Sequence, residues 1–241
     1  MNAPRLQGAP SAAPLTHLVR STLAKPLLAT AVSLAVLPAA FADGPGRGAT
    51  AAFEKTYLTF IIDHHYSALR MSELAAGTDR TRDPALNNPA EGTSPTPDFG
   101  DTSAKSLDPD IRSMARQANR AQREEIRRAQ DFLHMWYGVH YVPVLSAEDR
   151  AMIGTLERTP PGAQFDRTFL RMFSSHHFTA LAPSVHCQVK SDLRHEDLRR
   201  YCDNIVVMQK NEINDMREML CKRFTECGFV PTGAGRGGEH D

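Results

Sequence analysis

The sequence carries no net charge and lacks the short motifs that mark common enzymes. Its 28 basic and 28 acidic residues balance, and no basic stripe gathers on one segment, which argues against a nucleic-acid surface. It contains no G-x-S-x-G, no phosphate-binding loop and no nucleophile with a suitable base. The absence of C-x-x-C disfavours zinc and thioredoxin-type sites. We therefore predict no catalytic residue and favour a non-enzymatic role.

Long hydrophobic runs are scarce as well. The main one is PLLATAVSLAVLPAAFA at residues 26–42, which follows Arg20 and Lys25 and ends in an A-x-A-like site. It is short for a membrane span. The pattern predicts a cleaved signal peptide at 1–42 and a periplasmic or secreted bacterial protein with no membrane segment afterwards. An uncleaved anchor is the alternative.

The four cysteines all lie late in the chain. An even number in an exported protein predicts disulfides, and four cysteines allow three connectivities. We predict Cys187–Cys202, because this pair is symmetric about an expected hairpin turn at residues 194 and 195. We predict Cys221–Cys227 as a link that fastens the chain where it leaves the last helix. Free thiols are the expectation for a reducing compartment.

Helical spacing of apolar residues dominates the chain, and no segment has a convincing strand pattern. Asp108 before Pro109 predicts an N-cap, and Ser146 with Asp149 forms a weaker capping box. Pro183 falls inside a predicted helix and should kink or break it. Helices are predicted at about residues 52–76, 110–137, 164–189 and 196–224, with a short one from Ser146 that ends at Thr159-Pro160-Pro161-Gly162.

Segment 77–109 is rich in Pro, Gly, Asn, Ser and Thr, which predicts a loop. Loops of this length are usually functional or disordered. The predicted organisation is a flexible N-terminus at 43–51, a helical bundle at 52–228 and a disordered tail at 229–241. Inside the bundle we expect hairpin one at 52–137, a linker with the short helix at 138–163, and hairpin two at 164–228.

An internal repeat divides the bundle into two halves. FIIDHHYSALRM at 60–71 reappears as MFSSHHFTALAP at 172–183, an offset of 112 residues. QREEI at 122–126 reappears as QKNEI at 209–213, an offset of 87 residues. The loop in the first half accounts for the difference. Two facing hairpins predict an all-α four-helix bundle with a pseudo-two-fold axis.

Polar residues interrupt the apolar stripes of these helices at matching positions. His64 and His65 each have apolar residues four positions before and after, so both rings should face the core. Buried carboxylates need nearby partners. The simplest arrangement places each His-His pair against the Q-x-x-E of its neighbouring helix. The residues are His64, His65, His176 and His177, with Gln122, Glu125, Gln209 and Glu212 around them.

Two interpretations of this layer stay open. One is a hydrogen-bonded core network in which glutamate accepts from histidine. The other is a metal site, because imidazole is a common metal donor and bundle cores build such sites from facing helices. Zinc and iron are not excluded, although no Glu-x-x-His supports a di-iron centre.

Methionine favours copper among these metals. Met71 follows His64 by two helical turns, and Met216 follows Glu212 by one. A thioether with imidazole suits copper, especially Cu(I). Methionine is also a common core filler. The repeat does not preserve either residue, since Pro183 and Ala129 occupy the equivalent positions. His186 is a weaker candidate.

The His-His and Q-x-x-E-I motifs across 52–220 resemble the exported bacterial family called domain of unknown function 305. The resemblance implies a ferritin-like helical bundle and, for some members, copper binding outside the cytoplasm. Asp63 and Ser175 depart from it, standing where a proline often precedes the His pair. Residue by residue, the resemblance implies a ligand set of His64, His65, Met71, His176, His177 and Met216.

The function predicted from the sequence is therefore an exported bundle that binds copper and buffers or carries it, with a metal ion as partner. The alternative is a non-metal envelope protein whose histidines, glutamates and glutamines form core networks. A metalloenzyme would need an open coordination position and a substrate pocket, which loop 77–109 could cover. The sequence indicates no protein partner.

Overall fold

A computed structural model describes residues 47–78 and 95–228. These residues form five helices and no β-strand, which confirms the all-α class. They belong to one compact unit, Ala40–Asp241. The predicted signal peptide, the tail 229–241 and part of loop 77–109 lie outside the described residues. The helices are α1 (Gly48–Ala76), α2 (Pro109–Tyr137), α3 (Ala147–Arg158), α4 (Ala163–Val189) and α5 (Glu196–Phe224).

The start of α1 differs from the prediction for residues 48–51, which the sequence placed in a flexible N-terminus. The helix already begins at Gly48, four residues before the predicted start. Alanines such as Ala49 favour helix. The Thr50 hydroxyl also donates to the Asp192 backbone carbonyl at 3.3 Å and carboxylate at 3.2 Å. This contact fastens the first turn of α1 to the connection between α4 and α5.

The predicted caps form as the sequence indicates. The Asp108 side chain accepts from the backbone amides of Asp110 and Ile111, so α2 begins at Pro109. Ser146 and Asp149 form a complete capping box at the start of α3. Each cap satisfies amides that a helix leaves without partners in its first turn.

Helix α4 continues through Pro183 to Val189, so the predicted break is absent. Proline removes one backbone donor and crowds the preceding turn. The segment after it is held by tertiary contacts: Ser184 Oγ and Tyr57 Oη of α1 lie 2.9 Å apart, and Cys187 is bonded to Cys202 of α5. These contacts hold the last turns of α4 against α1 and α5.

Two helix hairpins make the bundle. Helix α1 packs along α2, α4 packs along α5, and the two pairs meet through α1 and α4, with α3 against both. The Cys187–Cys202 and Cys221–Cys227 disulfides are both present, as predicted. The predicted four-helix architecture is confirmed. None of the helices in the described ranges is long and apolar enough to cross a membrane.

The environment of α1 differs from the predicted single apolar stripe. Every residue from His64 to Ala76 is buried, because α2, α3, α4 and the end of the long loop surround this stretch. Tyr66 donates to the Pro97 carbonyl at 2.8 Å, and Lys105 N donates to the Leu74 carbonyl at 2.9 Å. The end of the loop thus covers the part of the α1 surface that α2, α3 and α4 leave open.

Two apolar clusters fill the core, and a polar layer lies between them along α2, α4 and α5. The cysteine cluster contains Tyr57, Leu58, Trp136, Cys187, Cys202 and Ile205 among others. The phenylalanine cluster contains Met71, Ile111, Phe165, Phe169, Phe173 and Met216 among others. Each large apolar side chain buried in them stabilises the fold by roughly 1.5–3 kcal/mol.

Candidate metal centre

The four histidines of the two His-His pairs meet where α1 faces α4. His65 and His177 are fully buried, and His64 and His176 nearly so. The His64 and His176 rings stack with centroids 3.8 Å apart and an angle of 29° between planes. The repeat thus places one pair from each hairpin at the junction of the two halves.

Hydroxyl groups three residues after His64 and His176 hold these two histidines reciprocally. Ser67 donates to the His64 carbonyl at 2.8 Å, and its oxygen lies 2.8 Å from His176 Nε2. Thr179 donates to the His176 carbonyl at 2.7 Å, and its oxygen lies 3.1 Å from His64 Nε2. Ser67 and Thr179 are equivalent in the repeat. The shared pattern H-x-x-[ST] is the sequence signal that marks these two hydroxyl groups.

These contacts assign the tautomers of His64 and His176. The His64 Nε2 atom lies 2.9 Å from the His176 carbonyl, which only accepts, so Nε2 carries the proton. The Ser67 proton is already committed to the His64 carbonyl, so His176 Nε2 donates to Ser67. Both histidines therefore present an Nδ1 lone pair. His176 Nδ1 has no hydrogen-bond partner and is buried.

The other two histidines contact the predicted glutamates. His65 Nε2 lies 3.0 Å from Glu125 of α2, and His177 Nε2 lies 2.7 Å from Glu212 of α5. The predicted facing of His-His and Q-x-x-E thus occurs in both halves. The Gln122 side-chain nitrogen instead reaches the opposite half, 3.4 Å from His177 Nε2. Gln209 is buried in the same layer.

Burial keeps three of the four histidines uncharged and favours the protonated form of Glu125. Desolvation lowers the pKa of His64 and of His65 to about 3, and it lowers the pKa of His176 well below its ordinary value. Desolvation, helped by the Glu212 carboxylate, raises the pKa of Glu125 to about 8. All three imidazoles are uncharged at neutral pH, which is the form that binds metals.

The tautomers of His64 and His176 also determine which atoms of His65 and Glu125 carry protons. His64 Nδ1 is an acceptor and lies 3.4 Å from His65 Nδ1, so His65 donates there and keeps its lone pair on Nε2. That lone pair faces Glu125 Oε2 at 3.0 Å. A protonated carboxyl is the compatible neighbour, in agreement with the raised pKa of Glu125.

The predicted methionines lie on one side of this layer. Met71 and Met216 are fully buried in the phenylalanine cluster, together with Phe169 and Phe173. His186 is exposed on α4, with its ring 5.1 Å from that of Phe53. The structure brings the four paired histidines together and leaves His186 apart.

In the described ranges, no three His, Cys, Asp or Glu side chains are arranged as a ready-made ion cage. A cavity of about 460 Å³ nevertheless borders His64 and His176. Its outer wall comes from α3 and from the linker before it. Asp63 holds that linker by accepting from Tyr141 at 2.6 Å and from the Val144 amide at 2.7 Å. Sequence reasoning had treated α3 and the linker as a connection only.

The sequence of this chain matches the model of a known protein family. The model of the family described as "Domain of unknown function (DUF305)" matches residues 101–220. The chain belongs to the DUF305 family. The matched segment spans α2 to α5, so the His pair of α1 lies outside it. No curated protein sequence matches this DUF305 chain.

Solved structures share the fold of this DUF305 chain. A DUF305 fragment from Deinococcus radiodurans is 22% identical with a TM-score of 0.51, covering 74% of this chain and 99% of its own. CopM in an Ag-bound form is 18% identical with a TM-score of 0.50, covering 71% of this chain and 97% of its own. CopM in a Cu(I)-bound form is also 18% identical with a TM-score of 0.50, covering 70% of this chain and 96% of its own. At these identities the likeness shows the fold alone.

Proposed function

We propose that this chain is an exported metal-binding bundle whose cargo is copper, which it buffers or carries. The observation that carries the proposal is the meeting of four buried histidines from two equivalent helices. A buried imidazole with a nitrogen that lacks a hydrogen-bond partner is costly as core filler and useful as a metal donor. His176 Nδ1 and His177 Nδ1 are both buried without a hydrogen-bond partner.

The tautomers support the same function. A metal-binding histidine usually donates its second ring nitrogen to a carbonyl, hydroxyl or carboxylate, which fixes the ring and raises its basicity. His64 donates to the His176 carbonyl, and His176 donates to Ser67. These outer contacts support metal binding at His176 Nδ1, which has no partner, and at His64 Nδ1 once it releases the hydrogen bond from His65.

Metal binding also requires local movement. Because no cage exists among the described side chains, at least one ring must turn toward a shared ion. His65 and His177 would have to leave Glu125 and Glu212 before they could join. His64 and His176 need no such exchange with a carboxylate. We therefore propose that these two histidines bind first and that the glutamates act as outer partners.

Copper is the favoured cargo on two grounds. Neutral imidazole together with nearby thioether suits copper in both oxidation states, Cu(I) especially. The CopM structures that share this fold are described as bound to Ag, Cu(I) and Cu(II). Export is supported by the pairing of all four cysteines as disulfides, which persist in oxidising compartments.

Metal content tests the proposal directly. The full chain is expressed with export to the periplasm, and the intact mass of the purified protein shows whether residues 1–42 are removed. It is then loaded separately with Cu(I), Cu(II) and Zn(II), desalted and analysed for bound metal. We expect copper to be retained. We expect it to be lost when His64, His65, His176 and His177 are all changed to alanine.

A second histidine pair supplies the matched control. His134 and His140 are exposed, and their rings lie 4.2 Å apart near the end of α2. Changing both to alanine removes imidazoles without touching the core, so copper retention should stay unchanged. Equal retention by the four-histidine variant and the native chain would refute the proposed site.

The reciprocal hydroxyl contacts favour one other function, a structural bundle of the cell envelope. In that case the histidines join the hairpins, and copper adds nothing. A ligand that binds only the folded state raises its stability. A melting temperature that is unchanged by copper, together with destabilisation by each histidine-to-alanine change, would support the structural role.

A further inference from the structure

The cavity beside the histidines gives a cation access to only half of the polar layer. Its volume is about 460 Å³, and it borders His64 and His176 but not His65 or His177. The inner pair is turned toward Glu125 and Glu212. An ion that arrives through this cavity therefore meets one histidine from each half of the bundle.

Among the described residues that line this cavity, one carries sulfur, Met152 of α3. Met71 and Met216 are enclosed in the phenylalanine cluster and do not border it. Met152 is only half-buried and packs into neither apolar cluster. Core filling therefore does not account for its position, whereas it does account for the positions of Met71 and Met216.

The charge of the cavity wall suits a cation. The carboxylates of Asp63, Glu148 and Asp149 border it. Two of them also build the wall, because Asp63 accepts from the linker and the Asp149 carboxylate accepts from the Ser146 amide at the start of α3. Clefts lined by charge of one sign concentrate ions of the opposite sign. The same elements thus shape the cavity, place Met152 and attract a positive ion.

We propose that Met152 is the thioether ligand of this protein and that it binds Cu(I) together with His64 and His176. The proposal rests on the proposed copper function and replaces Met71 and Met216 as ligands. A soft thioether with two neutral imidazoles is a donor set that favours Cu(I) over harder ions. Helix α3 then serves as a third ligand-bearing element between the two hairpins.

X-ray absorption at the copper edge tests the assignment. The native full chain is loaded anaerobically with Cu(I), and the spectrum should show one sulfur neighbour with nitrogen neighbours. The Met152→Leu variant should lose the sulfur signal and bind Cu(I) at least about 10-fold more weakly, as changes around a metal site commonly do. Its Cu(II) retention, which depends on imidazole, should stay close to that of the native chain.

Two methionine variants of similar size serve as controls. Met135→Leu alters an exposed residue of α2 and should keep the sulfur signal. Met71→Leu should also keep it, because Met71 lies in the phenylalanine cluster. Circular dichroism of each apo variant checks that the helices are intact, and Met152→Gln provides a second variant without sulfur if the leucine form fails to fold.

The outcomes separate this inference from the copper function itself. Loss of the sulfur signal in Met152→Leu alone supports the assignment. Copper bound without sulfur in the native chain, or sulfur lost in Met71→Leu instead, overturns the role of Met152 and leaves the histidine site standing. Absence of bound copper in the native chain overturns both proposals.

Discussion

The raised pKa of Glu125 predicts that the apo protein loses stability between about pH 6.5 and 8. Folding raises the pKa of this carboxyl from 4.5 to about 8, so in this window the native state holds a proton that the unfolded chain has released. A group of this kind stabilises the native state at low pH, and its contribution is lost as pH rises through the folded pKa. The slope is about 1.4 kcal/mol per pH unit, so roughly 2 kcal/mol is lost across the window.

The histidines set the acid side of the same profile. Burial lowers the pKa of His64 and of His65 from 6.5 to about 3. The unfolded chain therefore takes up protons below pH 6.5 that the native state refuses, and stability falls as pH decreases. The two histidines make stability rise with pH up to 6.5, and Glu125 makes it fall above that pH. Together these groups place the maximum of stability near pH 6.5. Above that pH these two histidines are neutral in both states, so they do not offset the slope of Glu125.

Urea unfolding followed by circular dichroism between pH 6 and 8.5, in the presence of a chelator, measures the effect. The Glu125→Gln variant should still lose stability as pH decreases below 6.5. Its free energy of unfolding should no longer fall above pH 6.5, because its amide does not titrate. Glu124→Gln is the matched control, since Glu124 is the exposed neighbour paired with Arg127. A native profile that is flat from pH 6.5 to 8, or a parallel fall in Glu125→Gln, would refute the reasoning.

Three further predictions concern stability and use urea unfolding at pH 6.5. Ser67→Ala leaves His176 Nε2 without its acceptor and should cost about 1–3 kcal/mol; a cost below the error of the measurement would contradict the reciprocal arrangement. Changing Cys187 and Cys202 together to alanine opens a link across 15 residues and should cost about 3 kcal/mol; an unchanged midpoint under oxidising conditions would show that the disulfide does not constrain the unfolded chain. Phe169→Ala removes a fully buried ring of the phenylalanine cluster and should cost about 3–5 kcal/mol; a loss under 1 kcal/mol would mean that the cluster closes around the gap.

The positions of the helices and of the histidines were largely predictable from sequence. Helix ends depend on local chemistry, and Asp108 and Ser146 cap α2 and α3 where their side chains predict. The facing of His65 toward Glu125 and of His177 toward Glu212 followed from helical spacing and the repeat. The caps depend on residues that are close in the sequence. The histidine–glutamate pairs follow from motifs that occur once in each half of the repeat.

Other features depended on contacts between segments distant in the sequence. Pro183 predicts a kinked or broken helix, and α4 nevertheless continues past it, with Ser184 in contact with α1 and Cys187 bonded to α5. The predicted apolar stripe of α1 became a helix buried on nearly every side, because the end of the long loop packs on it. Local sequence patterns do not predict the surface on which a loop will pack.

The sequence by itself determined an all-helical chain with a doubled His-His and Q-x-x-E pattern, because spacing along a helix decides which side chains share a face. Only the tertiary structure decided which nitrogen of His64 and of His176 carries the proton and which methionine shares a cavity with these two histidines. The His64 tautomer depends on a carbonyl 112 residues away, and Met152 reaches the cavity on a helix that the repeat does not contain. Such contacts depend on how α3 and the two hairpins pack, which short-range spacing does not encode.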